Sequence, residues 1–89
     1  MSDRGLALPV SARPAWCEID LGALAHNVRT IRAHLPPEVR FYAVCKNNAY
    51  GCGTRECART MLEAGADAFA VSDPEDAHRI RAAGVDAPI

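Results

Sequence analysis

From residue 41 onward, short apolar runs alternate with stretches of helical periodicity, and this order constrains the fold more than any other feature. Phe41 to Cys45 reads Phe-Tyr-Ala-Val-Cys, a compact apolar run suited to a strand buried on both faces, as in a parallel sheet. Asn47 to Gly53 then supplies turn formers: two asparagines, a tyrosine and two glycines. Thr54 is placed to cap a helix whose inner stripe is Cys57, Ala58, Met61 and Leu62, with Gly65 at its end. Ala68 to Val71 is a second apolar strand. Asp73 followed by Pro74 is an N-cap with proline at the first helical position, and Asp76 completes an aspartate version of the capping box. That helix continues through Ala77, Ile80 and Arg81 to Gly84. Pro88-Ile89 reads as the lip of a further strand. The order strand, helix, strand, helix, strand means parallel βα units.

The first 40 residues read differently. Met1 to Pro14 carries a glycine, two prolines and little periodicity, and is expected to be a flexible arm. It has no apolar core of the length a signal peptide needs. Trp16 to Asp20 alternates large apolar and polar side chains and predicts a short strand. Asp20 can cap the helix that follows, in which Leu21, Leu24, Val28, Ile31 and Leu35 form one apolar stripe. Pro36 and Pro37 stop it. Two βα units cannot close a sheet, and a (β/α)8 barrel typically takes about 250 residues. The 89 residues are therefore expected to be an N-terminal piece of a larger α/β protein, marginally stable by itself.

Charge narrows the classes of partner. The net charge is -1, so nothing draws the chain electrostatically to nucleic acid or to an anionic membrane. No apolar run reaches the roughly 18 residues of a membrane span. A cytoplasmic location is the expectation, and the four cysteines (Cys17, Cys45, Cys52, Cys57) are compatible with a compartment where thiols stay reduced. Their spacing does not match a zinc site, so no metal is expected.

Nine of the ten basic residues are arginine, and Lys46 is the single lysine. Lysine can lose its proton when desolvated and act as an amine, which arginine cannot. Lys46 follows the first apolar strand directly, at the carboxyl end where parallel βα proteins gather their active sites. Beyond it, glycines let the backbone pass close to a ligand, Tyr50 offers a hydroxyl, and a helix N-terminus near Thr54 favours an anion. An amine beside a phosphate site suits pyridoxal phosphate, held through a lysine Schiff base. The spacing alone fits an exposed lysine beside a glycine turn better. His26, His34 and His78 lie on predicted helices and read as solvated positions. Asp20, Asp73 and Asp76 read as caps, and Trp16 and Phe69 as packing residues.

The eleven residues Ala43-Val44-Cys45-Lys46-Asn47-Asn48-Ala49-Tyr50-Gly51-Cys52-Gly53 resemble the pyridoxal phosphate attachment motif of alanine racemases, A-V-x-K-x-N-A-Y-G-x-G. Arg13 to Leu21 with His26-Asn27, Leu62 to Val71, and Ala83 to Ile89 are similar to that family as well, so the resemblance covers nearly everything after residue 13. It implies that residues 15–89 are an incomplete N-terminal barrel domain of the (β/α)8 type. Trp16 to Asp20 would then pair with a C-terminal β domain. It implies an isomerase that interconverts L-alanine and D-alanine, supplying D-alanine for peptidoglycan, and that works as a homodimer. Lys46 would hold the cofactor as an internal aldimine and serve as one of two bases, and Tyr50 would donate to the cofactor phosphate. The second base, a tyrosine in the family, would come from the partner subunit's C-terminal domain, so the 89 residues alone are expected to be inert. Cys52 stands where histidine is common and Asn47 where alanine is common, which leaves substrate preference open. A racemase of serine or of broader range is one alternative. A non-catalytic pyridoxal phosphate-binding protein of the related barrel family is another, disfavoured by Ala15 to Asp20 because that segment implies a following β domain.

Overall fold

The computed structural model describes residues 15–89. The arm expected over residues 1–14 lies outside them. Helix α1 (Leu21–Ala33) comes first, then strand β1 (Tyr42–Val44), a single turn α2 (Lys46–Tyr50), helix α3 (Thr54–Ala64), strand β2 (Ala68–Ala70) and helix α4 (Pro74–Ala82).

Residues 15–20 form no strand, contrary to the alternation of Trp16 to Asp20. A strand needs a neighbour to take its backbone N–H and C=O groups. All six residues are exposed, and Trp16 Nε1 donates to Glu18 Oε2 at 2.8 Å, two residues on. Asp20 caps α1 as its position predicts, its Oδ1 accepting the Ala23 N–H at 3.0 Å. Of the α1 stripe, Val28 is fully buried, Leu21, Leu24 and Leu35 are half-buried, and Ile31 is exposed. The helix ends at Ala33, ahead of Pro36.

β1 and β2 pair in parallel, with Tyr42 opposite Ala68, Ala43 opposite Phe69 and Val44 opposite Ala70. Alternation sends Ala43, Cys45 and Phe69 toward the helices, where all three are buried. Tyr42 and Val44 point to the other face and are 55% and 47% exposed, so β1 is buried on one face and not on both. The burial expected there requires side chains from further strands across the sheet, as in a closed barrel. Beside β2 the Phe69 N–H donates to Pro88 O at 2.9 Å, although residues 88–89, where a further strand is expected, form no strand. Between sheet and helices sits a core of Val28, Cys57, Ala58, Met61, Phe69 and Ile80. Burying such side chains contributes roughly 1.5–3 kcal/mol each for the larger ones.

Two connections hold this packing. Asp67 Oδ2 accepts from Arg32 at 2.7 Å and from the Phe41 N–H at 2.8 Å. Arg32 also donates to Pro36 O and Val39 O, which joins the end of α1 to the entry of β1. Gly65 closes α3 with φ 130°, and its N–H returns to Met61 O and Leu62 O. A Cβ there would meet Arg32 Cγ at 3.1 Å.

Candidate active site

β1 delivers Lys46 at its carboxyl end, and Lys46 is exposed while the preceding Cys45 is fully buried. Burial, followed by the nearby Cys57 and Asp76, pushes the Cys45 thiol up to about 11, which leaves it unreactive at neutral pH. The strand therefore turns its thiol into the core and its amine outward, as the regular alternation predicts.

The turn formers after Lys46 make a left-handed turn. Asn47, Asn48 and Ala49 share φ 55° with ψ between 46° and 49°, and Tyr50 follows at φ 58°. L-residues in this region cost roughly 1–2 kcal/mol apiece, least for asparagine. Gly51, at φ 86°, then takes the chain out of the turn and donates to Asn47 O and Asn48 O.

Two side chains anchor this strained turn. Asn48 Oδ1 accepts the Thr54 N–H at 3.0 Å and so serves as the cap of α3. Thr54 was the expected cap. It is the first residue of the helix instead, fully buried, with its hydroxyl unpartnered, and Gly53 occupies the N-cap position. The second anchor is Asp76. Its N–H donates to Asp73 Oδ1 at 3.1 Å, so Asp73 caps α4 as predicted. The carboxylate does not return that bond to the Asp73 N–H as a capping box would. Asp76 Oδ2 accepts from the Asn47 N–H and Oδ1 from the Asn48 N–H, each at 3.1 Å, and Arg79 donates to Oδ1 at 2.7 Å. Asp76 is 1% exposed. The Asn48 N–H holds its acidity below the ordinary 3.8, helped by the Asn47 N–H and Arg79 and opposed by burial.

Tyr50 leaves the turn 62% exposed. It lines a groove of about 420 Å³ with Ile19, Leu24, Val44, Ala49 and Cys52. Lys46 does not line that groove; it and Tyr50 stand at opposite ends of the turn. An exposed primary amine can condense with an aldehyde, and an exposed phenol can donate to a phosphate oxygen. His26, His34 and His78 are exposed, as expected. Asp76 and Asn48 are the residues that sequence reasoning missed. The aspartate at the third helical position was visible, but its direction was not.

Residues 19–89 match the family model described as alanine racemase, N-terminal domain. The chain belongs to the alanine racemase family. It is 46% identical over 77 residues to the alanine racemase of Geobacillus stearothermophilus, covering 86% of this chain and 20% of that protein. Alanine racemase 2 of Bacillus subtilis is 44% identical over the same length and the same shares. Among solved structures, alanine racemase from Bacillus anthracis with bound L-Ala-P superposes with a TM-score of 0.76 at 42% identity, over 80% of this chain and 18% of that one. The Corynebacterium glutamicum alanine racemase gives 0.74 at 37%, over 79% and 20%. The chain thus spans about a fifth of the length of the alanine racemases it matches, and its fold is the N-terminal part of their (β/α)8 barrel.

Proposed function

We propose that this chain supplies the cofactor-bearing wall of a pyridoxal phosphate-dependent alanine racemase, interconverting L-alanine and D-alanine. The observation that carries the reading is the anchored left-handed turn, which presents Lys46 and Tyr50 from its two ends. Family membership supports the substrate and the cofactor class. Bound there, pyridoxal phosphate supplies an electron sink for the pair left behind when an amino acid loses its α-proton. Lys46 Nζ would hold the cofactor through its aldehyde and, as a free amine, would take and return the α-proton on one face of the substrate. Tyr50 Oη donates a hydrogen bond to the phosphate. Ala49, buried under the turn, and Cys45, buried under the strand, keep the backbone around the amine fixed.

The base for the opposite face is a tyrosine of the partner subunit's C-terminal domain, outside these residues, in a cytoplasmic homodimer whose product serves peptidoglycan synthesis. These 89 residues alone are inert on this reading. Lys46→Arg in the complete protein tests the assignment, because arginine keeps the charge but neither forms the imine nor gives up a proton at neutral pH. It should abolish the visible absorption of bound cofactor and nearly all racemisation. A Lys46→Arg protein that keeps both overturns the proposal.

A further inference from the structure

Asp76 belongs to α4, the helix of the βα unit after the one that carries Lys46. Both of its oxygens are nevertheless committed to the turn beside Lys46, through the Asn47 and Asn48 N–H groups. Those two N–H groups have no helical or strand partner of their own, since the backbone there is left-handed. Bonds inside the turn, from Gly51 to Asn47 O and Asn48 O, hold its shape but not its place in the molecule. The place is set by Asp76 on α4 and by the Asn48 side chain at the start of α3. Arg79 neutralises the buried carboxylate from its own helix and is steadied by Glu75 at 3.7 Å.

We propose that Asp76 is a positioning residue, which by clamping the Asn47 and Asn48 amides sets the separation and relative direction of Lys46 Nζ and Tyr50 Oη. The inference rests on the pyridoxal phosphate reading of those two groups. A ligand held at two points gains from the second only if the distance between the points is fixed. The phosphate of pyridoxal phosphate provides that second point, and pyridoxal lacks it. The quantity that reports the clamp is therefore the ratio of the two affinities. A variant that merely lowers the folded fraction weakens both ligands alike and leaves the ratio unchanged.

The experiment uses the complete protein that carries this chain, stripped of cofactor, with pyridoxal phosphate and pyridoxal titrated in parallel. Asp76→Ala should reduce the affinity ratio by about tenfold or more. In the unliganded protein, hydrogen exchange across residues 46–53 should accelerate while that of α1 stays unchanged. Asp76→Glu, which keeps a carboxylate, should recover part of the ratio. If Asp76→Ala does not fold, Asp76→Asn keeps the volume and one acceptor and should shift the ratio the same way by a smaller factor. An unchanged ratio in a folded variant overturns the inference. If the wild-type protein binds neither ligand, the cofactor reading fails. Exchange then decides on the clamp alone, and equal exchange in wild type and variant overturns it.

Discussion

Tyr50 is proposed to bind the cofactor and Asp76 to clamp the turn that carries it, so their substitutions should fail in different ways. Tyr50→Phe keeps the ring and removes the donor proposed for the phosphate. A hydrogen bond to a charged group contributes about 1.5–3 kcal/mol, so cofactor affinity should fall by roughly ten- to a hundredfold. Saturating pyridoxal phosphate should restore much of the turnover, measured as racemisation against cofactor concentration. If excess cofactor leaves the variant inactive, Tyr50 takes part in proton transfer. Asp76 predicts a dependence on acid. Its pKa is lowered in the folded state from 3.8, so the charged form favours folding. The stabilisation is fully present above about pH 4 and is lost as pH falls through the lowered value. Arg79 on its own helix donates to it, Asp73 accepts its N–H, and Cys45 lies nearby at the end of β1. Urea unfolding of wild type and Asp76→Asn should therefore differ by a constant amount at neutral pH and converge in acid. A difference that persists to about pH 2 would contradict the clamp's charge.

At the scale of elements, most of the pattern was legible. The βα alternation, the Asp20 and Asp73 caps and the Gly65 stop all express local rules in which one residue type at one position decides. The misses occur where a partner lies far along the chain. Trp16 to Asp20 has strand alternation but no strand beside it among the described residues, so its backbone stays unladdered. Asp76 has the position of a capping-box residue. Its carboxylate turns outward because two amide groups about 30 residues earlier, stranded by a left-handed backbone, offer it more than one amide at its own cap. Thr54 loses the cap to Asn48 for a related reason: the turn carries the Asn48 amide oxygen to the Thr54 N–H. Gly65 offers a test of element packing. At φ 130° a side chain is strained, and the added Cβ would press on Arg32, which bonds Asp67. Gly65→Ala should cost about 1 kcal/mol or more in chemical denaturation, with Arg32 displaced. A neutral or stabilising effect would show that the α3 exit is not tied to α1 in this way.

For the whole molecule, the decisive feature is the sheet face away from the helices. Tyr42 and Val44 are about half exposed on it, although their residue types suit a closed interior. The family fold supplies that cover from later barrel strands, and this explains why a run that reads as buried on both faces is buried on one. Made as 89 residues alone, the chain should self-associate or unfold over a broad temperature range, followed by circular dichroism and light scattering. A sharp cooperative transition of a monomer would contradict this. Borohydride reduction of the complete protein should fix pyridoxal phosphate irreversibly, and peptide mapping by mass spectrometry should find the added mass on Lys46. Label on a different lysine, or none retained, would contradict it.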